Sequence, residues 1–260
     1  MSLLNSSERS RCGLQRQSEL LGTPAPNPTT LFESSWRDFV FAEVWTRPGL
    51  DRRSRFFITI ASATCQASQT EILDGYVRGA LTLGEISLPE FREAALQLAV
   101  YSGWQRGALL DASVTRVARM LGLAEVEMPS IRAEDWDPQQ RLKEGAENFK
   151  AVMVFPAPPP VTPYFEGGIL NFVFGETWMR PGLDQRARRW ITLVGVADSS
   201  ASTPIRTHTY AAMASGNASM SEMQEFVLQY AIHGTWPKAS VMQSAVIEMG
   251  QRVAKGLPYE

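Results

Sequence analysis

Histidine is scarce in this sequence, and both copies stand in its second half. The 260 residues contain two histidines, His208 and His233. An imidazole gives and takes a proton near neutral pH, so either residue could act as a general acid or base. Each could instead be a structural residue that is hydrogen-bonded between packed helices. Because no third ligand stands at helical spacing from the two, we expect no metal ion.

A block of charged and aromatic residues occurs twice in the chain. Residues 39–60 and 172–193 align without a gap at an offset of 133, with 14 identities in 22 positions. A planar guanidinium matches a carboxylate in bidentate geometry, so the repeated arginines are candidates for a clamp on a substrate carboxylate. Alternatively, the arginines form ion pairs with the repeated glutamates. Each glutamate could instead orient a histidine. The repeated charged residues are Glu43 and Glu176, Arg47 and Arg180, Arg53 and Arg186, and Arg55 and Arg188.

The similarity continues past this block at an offset of 132, which indicates a tandem duplication of a unit of roughly 130 residues. We therefore divide the chain into a first repeat over 1–125, a linker over 126–163 and a second repeat over 164–260. The matched pairs beyond the block include Ser87 with Ser219, Glu90 with Glu222, and Trp104 with Trp236.

Helical signals fill both repeats, and no convincing run of alternating strand residues appears. In each repeat a Pro-Gly turn precedes an aspartate that can cap a helix, and a Ser-x-x-Glu capping box opens a later helix. Gly84 and Gly216 end the helices before these boxes. We predict an all-α fold with helices over 34–45, 52–67, 71–83, 88–102, 106–121, 167–178, 185–198, 204–215, 220–233 and 238–254.

The linker ends in a proline-rich segment, residues 155–163, which holds five prolines. Prolines at this density favour an extended, polyproline-like chain over a fold of its own. The segment is either a passive spacer or a strap that packs over a neighbouring subunit. The preceding residues 137–152 are compatible with a further helix.

Composition narrows the classes of function and the cellular compartment. The formal net charge is −2, so the chain lacks the basic excess typical of nucleic-acid-binding proteins. The two cysteines, Cys12 and Cys65, cannot form a disulfide framework or a zinc motif, which favours a reducing compartment. The first residues lack the apolar core of a signal peptide, and no apolar run is long enough to span a membrane. We expect a cytoplasmic protein without nucleic-acid or membrane partners.

The repeated motif resembles a known family. The run Glu-x-Trp-x-Arg-Pro-Gly-Leu-Asp-x-x-x-Arg, followed by a helix that ends in Gly and by Ser-x-x-Glu, is similar to the carboxymuconolactone decarboxylase family of the alkylhydroperoxidase-D-like superfamily. The resemblance covers residues 30–122 and 164–255 well, and the leader segments 11–22 and 141–149 more loosely. It implies an all-α fold in which small helical units assemble into trimers or hexamers. For a chain with two units we expect a homotrimer.

The resemblance also distinguishes between two reactions of the superfamily, dithiol peroxidation and decarboxylation. Peroxidases of the superfamily use a helical Glu, a C-x-x-C pair and a His four residues later. In the second repeat these positions fall on Arg189, Ala201, Pro204 and His208, and in the first repeat the Glu and His positions fall on Phe56 and Tyr76. The dithiol peroxidase reaction is therefore excluded.

The family's type reaction removes a carboxylate from a small unsaturated lactone acid without a metal or an organic cofactor. Such a site needs a cation for the carboxylate, donors for the developing oxyanion and a proton source for carbon. On this resemblance His208 is the general acid, and Arg180 is the clamp best placed beside it. Arg189 occurs in the second repeat alone, which could reflect function or drift. The predicted catalytic residues are His208, His233, Glu176 and Tyr76, and the predicted substrate-binding residues are Arg180, Arg188, Arg47, Arg55 and Trp178.

Two of these assignments keep explicit alternatives. Trp178 and its counterpart Trp45 could be core anchors instead of stacking platforms. Tyr76 stands where the family has histidine, and a phenol can donate to an oxyanion but is a poor base at neutral pH. The first repeat is therefore either a structural half or a site with altered chemistry, and the two pockets could share residues across their interface.

We therefore predict a cofactor-independent, decarboxylase-like lyase that acts on a small carboxylated, aromatic-derived or lactone substrate. Isomerase, cyclase or other carbon–carbon lyase chemistry would use the same acid and oxyanion donors. A non-catalytic ligand-binding scaffold of the same fold is the alternative from another class of protein.

Overall fold

A computed structural model describes residues 4–66, 70–130 and 135–260, and every regular element in these ranges is a helix, which confirms the all-α fold. The first half contains α1 (Ser6–Leu21), α2 (Leu31–Ser35), the π-helix π1 (Trp36–Val44), α3 (Arg52–Gln66), α4 (Glu71–Thr82), α5 (Leu88–Ser102) and α6 (Trp104–Met120). The second half contains α7 (Pro138–Met153), the π-helix π2 (Tyr164–Phe174), a 3₁₀ turn (Thr177–Met179), α8 (Gln185–Ser199), α9 (Ser202–Ala214), α10 (Met220–Gly234) and α11 (Trp236–Ala254).

The predicted helices agree with this list, apart from three differences. Helix α1 was not predicted, although Asn5 and Glu8 form a capping box at its start. The predicted helix over 34–45 includes a π-helix, in which the Trp45 amide donates to the Val40 carbonyl five residues earlier at 3.1 Å. The predicted helix over 167–178 is likewise π-helical up to residue 174. Residue 67 of one predicted helix and residues 131–134 of the predicted linker lie outside the described residues.

Apart from the short α2 and the 3₁₀ turn, the elements follow one another in the same order in both halves, and the two halves share one core. Helices α3 and α8 pack against each other at its centre, and each also packs against the capping-box helix of the opposite half. Trp190 of α8 is buried against Phe226 of α10 and donates from its indole Nε1 to the Ser54 hydroxyl of α3 at 2.9 Å. Within the described ranges, no helix has the length and apolar character needed to cross a bilayer.

Both predicted capping boxes are present, and their acids also join the two halves. Ser87 and Ser219 accept from the backbone amides of Glu90 and Glu222. Arg53 of the first half binds Glu90 at 2.6 Å and also Asp184 of the second half at 2.8 Å. The matched Arg186 binds Glu222 and Asp51 in the same way. Each cap is therefore part of an ion network that crosses between the halves.

A buried carboxylate on each capping-box helix binds two arginines of the other half. Glu93 of α5 binds Arg180 at 2.7 Å and Arg188 at 3.0 Å, and its side chain is 1% exposed. A Cβ on Gly182 would lie 2.8 Å from the Glu93 side chain, so the Pro-Gly turn requires glycine to let this carboxylate approach. The second network is built alike: Glu225 of α10 binds Arg47 and Arg55.

These contacts decide whether the repeated arginines are free to clamp a substrate carboxylate or form ion pairs within the protein. The arginines form ion pairs, but the partners are Glu93 and Glu225 of the opposite half, and not the nearby Glu43 or Glu176. Burial alone would raise the pKa of the Glu93 carboxyl, yet hydrogen bonds from Arg180 and Arg188 outweigh it and hold that pKa below its ordinary value. Glu93 is therefore ionised at neutral pH.

Glu93→Gln should destabilise the protein strongly because it leaves the Arg188 guanidinium buried without its counter-charge. Removing one partner of a buried pair costs about 3–5 kcal/mol. Denaturant-induced unfolding of the variant measures this loss. The control is Glu248→Gln, which breaks a half-exposed pair with Arg206 and should cost less than about 1 kcal/mol. Equal, small losses in the two variants would contradict the role assigned to Glu93.

Candidate functional site

A pocket of about 560 Å³ opens in the second half. Helix α7 ends at Met153, the next residue, Val154, lies in the left-handed region (φ 59°), and residues of the proline-rich segment then line the pocket. Phe155 and Pro158 of this segment line the cavity of their own half, a placement that neither alternative for the segment predicted. Tyr101 is contributed by α5 of the first half. The pocket wall is otherwise mostly apolar and includes Phe149, Met153, Phe165, Ile169 and Phe174.

His208 lines this pocket and lies against Tyr101. The two rings meet edge-on with centroids 5.3 Å apart and an interplanar angle of 88°. The Tyr101 hydroxyl accepts a hydrogen bond from Trp178 Nε1 at 2.9 Å, which fixes its position. His208 Nδ1 is buried and has no hydrogen-bond partner among the described residues. A histidine of one half and a tyrosine of the other therefore meet in the pocket, whose lining also includes the polar residues Tyr164, Ser199, Thr203 and Thr207.

The protonation state of His208 differs from the one that the sequence suggested. Burial and, to a smaller extent, the positive charge of Arg189 together lower the pKa of the imidazole to about 3. His208 is thus neutral at physiological pH in the unliganded protein. It can accept a proton or a hydrogen bond in this state, and it must take up a proton before it can act as the predicted general acid.

Arg189 is a fully buried cation directly behind the pocket wall. Its guanidinium donates to the Val152 carbonyl at 2.7 Å and to Asn217 Oδ1 at 3.3 Å. It also lies over the Trp178 ring, 5.1 Å from the centroid. Among the described residues no carboxylate binds it, and burial lowers its pKa to about 10. A buried positive charge without a counter-ion favours an anion in its surroundings.

The other predicted site residues lie around the pocket or away from it. Trp178 is buried and stacks on Phe174 with centroids 6.0 Å apart, so it is a core residue that also holds Tyr101. Glu176 is buried at the end of π2. None of the four arginines predicted to bind substrate lines the pocket, since all four bind the interface carboxylates described above. The predicted carboxylate clamp by Arg47, Arg55, Arg180 and Arg188 therefore has no support in this geometry.

The two histidines are not brought together. His233 of α10 instead lies edge-on to Tyr76 of α4, with centroids 5.6 Å apart and an interplanar angle of 87°. The residue types are exchanged relative to the second half, where tyrosine comes from α5 and histidine from α9. Each half thus holds one histidine–tyrosine pair, and each pair takes one residue from the opposite half.

A second pocket of about 390 Å³ lies above the Tyr76–His233 pair. Residues lining it stand at offsets of 132 or 133 from residues lining the larger pocket. Pro26 and Pro28 come from a short proline segment after α1, which corresponds to the proline-rich segment after α7. The matched lining residues are Gln17 with Phe149, Leu21 with Met153, Pro26 with Pro158, Phe32 with Phe165, and Trp36 with Ile169.

Sequence reasoning missed two features of these sites. It assigned no site role to Tyr101, although the offset of 132 already paired Tyr101 with His233. It also overlooked that Pro-Ala-Pro at 24–26 repeats Pro-Ala-Pro at 156–158 at the same offset. Both signals were present in the sequence, but their meaning depends on which helices meet.

The described parts of the chain do not contain the side-chain clusters that a metal site or a dithiol reaction requires. No group of three His, Cys, Asp or Glu side chains gathers there as metal ligands. Cys12 and Cys65 are both free. Burial raises the pKa of the Cys65 thiol to about 11, so this thiol stays protonated at neutral pH.

Fold and site together define an all-α protein with helix-lined pockets that each combine a histidine with a tyrosine. Residues 31–113 match the model of the carboxymuconolactone decarboxylase family. A nitrosuccinic acid decarboxylase of Metarhizium robertsii is 38% identical over 81 residues, which are 31% of this chain and 53% of that protein. A 4-carboxymuconolactone decarboxylase of Acinetobacter baylyi is 27% identical over 129 residues, which are 46% of this chain and 95% of that protein.

The burial of the two neutral histidines should make the free energy of unfolding depend on pH. The pKa of His233 is lowered to about 4 by burial, and that of His208 to about 3. An unfolded histidine titrates near 6.5. Below that pH the unfolded chain therefore binds protons that the folded chain does not. The free energy of unfolding should fall by about 1.4 kcal/mol per pH unit for each histidine as pH drops from about 6 to about 4.5.

Denaturant titrations across this pH range measure the slope. The double variant His208→Gln/His233→Gln serves as the control, because it leaves the carboxylates unchanged and should show a much flatter dependence. The same slope in both proteins would mean that the imidazoles are protonated in the folded state.

Proposed function

We propose that the chain is a cofactor-independent, decarboxylase-like carbon–carbon lyase, and that the pocket of the second half is its reaction site. The substrate class is a small carboxylated ring compound, aromatic-derived or a lactone. The observation that carries this proposal is the neutral His208 beside the buried Arg189, for which no carboxylate partner is described. The family match and the two decarboxylases among its relatives support the same reaction type.

Arg189 has no evident packing reason to be charged. Its counterpart in the first half is Phe56, which packs edge-on against Trp45 with centroids 4.9 Å apart. In the second half the guanidinium occupies the same place against Trp178. An aromatic ring therefore fills this position in one half, so the cation in the other half is available to attract an anion. Arg189 takes the electrostatic role that the sequence assigned to the interface arginines, and it acts from behind the wall of the pocket.

The proton needed at carbon passes through His208. An entering substrate carboxylate offsets the charge of Arg189, and this raises the pKa of the imidazole so that it takes up a proton from solvent. The bond between carbon and the carboxylate then breaks, carbon dioxide leaves, and the electron pair moves into the conjugated carbonyl. The imidazolium gives its proton to carbon and returns to the neutral form. One solvent proton is consumed for each carbon dioxide released.

Tyr101 is the donor for the developing oxyanion. Its hydroxyl oxygen accepts from Trp178, and Thr192 lies within hydrogen-bonding reach of the same hydroxyl. In the proposed reaction the hydroxyl proton turns toward the substrate oxygen in the pocket. Burial raises the pKa of Tyr101 to about 12, so the hydroxyl stays protonated and remains a donor. A fixed donor in an apolar pocket stabilises a developing negative charge more than water does.

Turnover of 4-carboxymuconolactone, followed by its absorbance, tests the proposal. His208→Gln should reduce kcat by about 10²- to 10⁴-fold, the usual contribution of a general acid or base. His233→Gln is the matched control and should keep near-normal turnover, because His233 lies in the other half. Nitrosuccinate is the second substrate to assay. A folded wild-type protein that turns over neither compound would favour the ligand-binding scaffold, and a fully active His208→Gln enzyme would contradict the role of His208.

Replacing Arg189 by the residue of the other half separates charge from packing. Arg189→Phe should raise KM for the carboxylate substrate by about tenfold or more, since two opposite charges about 8 Å apart attract by about 2 kcal/mol at an effective dielectric of about 20. It should also raise the pKa of His208, measured by NMR titration of the imidazole. Arg119→Gln removes an exposed charge and is the control. An unchanged KM together with an unchanged His208 pKa would assign Arg189 a packing role only.

A further inference from the structure

The first half contains a cluster of buried polar atoms that the protein itself leaves incompletely satisfied. Trp45 Nε1, Tyr76 Oη and His233 Nε2 are all buried and make no well-formed hydrogen bond among the described residues. Trp45 still lies near enough to the Tyr76 hydroxyl to offset part of the rise in its pKa that burial causes. The Trp45 and Tyr76 rings stack with centroids 6.0 Å apart, and His233 lies edge-on to Tyr76. Buried polar groups are nearly always fully hydrogen-bonded, so three incompletely satisfied groups around one tyrosine point to a partner from outside the chain.

The same cluster in the second half is partly satisfied from within. There Trp178 donates to Tyr101, whereas the matched Trp45 only approaches the Tyr76 hydroxyl and makes no well-formed hydrogen bond. The difference follows from the exchange of histidine and tyrosine between the halves. It leaves the first half with a donor on Trp45, a donor and acceptor on Tyr76, and a nitrogen on His233.

Trp36 separates this cluster from the pocket above it. Its indole lines the 390 Å³ pocket and lies 5.6 Å from the His233 ring, centroid to centroid. The matched residue in the second half is Ile169, and there the histidine itself lines the pocket. The larger side chain therefore covers the first-half cluster, which a ligand reaches when Trp36 moves aside.

The charge around this cluster selects a different ligand from the one proposed for the second half. Phe56 stands where the second half has Arg189, so an aromatic ring and not a cation occupies that position behind the cluster. The charged residues that line the pocket, Glu33 and Glu71, are both acidic. An anion is disfavoured here, whereas an uncharged oxygen that accepts from Trp45 and Tyr76 satisfies these groups at no electrostatic cost.

We propose that the first-half pocket is a second ligand site, which takes a small uncharged ring compound bearing a carbonyl or hydroxyl oxygen and is covered by Trp36. The oxygen accepts from Trp45 Nε1 and Tyr76 Oη, and His233 Nε2 completes the set of polar contacts. The site uses residues other than His208, Tyr101 and Arg189, so it can be tested independently of the proposed lyase reaction.

The two histidines make the test direct, because each imidazole gives its own NMR signal and reports one pocket. Cyclohexanone is the neutral probe, and cyclohexanecarboxylate is the matched anion with the same ring. In the wild-type protein cyclohexanone should shift the His233 signal, and the anion should shift His208. Trp36→Ile copies the second half and should tighten cyclohexanone binding by about tenfold, because the ligand no longer has to displace the indole.

Matched variants identify the contacts. Tyr76→Phe should weaken the response of His233 to cyclohexanone about tenfold, the usual worth of one hydrogen bond. Tyr101→Phe, the equivalent change in the other half, should leave that response unaltered. Far-UV circular dichroism confirms that each variant is folded, and Trp36→Phe replaces Trp36→Ile if the latter is not.

Three results would overturn the inference. The first is a His233 signal that ignores cyclohexanone in both the wild-type protein and a folded Trp36 variant. The second is a cyclohexanone response at His208 alone, which would place the neutral ligand in the second-half pocket. The third is an unchanged response in Tyr76→Phe. Failure of the lyase proposal appears in the turnover assay instead, so the two outcomes are distinguishable.

Discussion

A buried carboxylate on each of two helices joins the halves of this molecule, and the rest of the structure depends on it. Glu93 of α5 and Glu225 of α10 each bind two arginines of the opposite half. Eight residues after these glutamates, the same helices carry Tyr101 and His233, about 12 Å further along at the usual helical rise. The ion networks therefore anchor the helices that deliver one side chain of each pair into the other half.

The two pockets have the same construction and opposite electrostatics. Both place a histidine edge-on to a tyrosine beneath a short proline segment. A single matched position, Arg189 in one half and Phe56 in the other, puts a buried cation behind one pair and an aromatic ring behind its counterpart. The low dielectric of the interior makes such an exchange more influential than several surface charges.

Much of the fold could be read from the sequence, and the candidate site much less. The capping boxes at Ser87 and Ser219 and the helical spacing after them predicted helices over 88–102 and 220–233, and the observed helices differ from these by at most one residue. His208 was selected by resemblance, and it does line a pocket. The arginines were harder, because the partner of Arg180 is Glu93, which lies 87 positions away in the chain. A resemblance names the residues of a motif, but it does not say which of them face the cavity.

The sequence by itself determined the local structure and the correspondence between the halves, because caps, turns and helical periodicity act over a few residues. The tandem duplication inferred from it stays a prediction about the history of the chain. The tertiary structure alone decided which tyrosine meets which histidine, that His208 is neutral, and that Arg189 rather than Arg180 lies behind the pocket. These features arise from burial and from contacts between distant helices, and the free energy of a buried charge depends on neighbours that only the folded chain brings together.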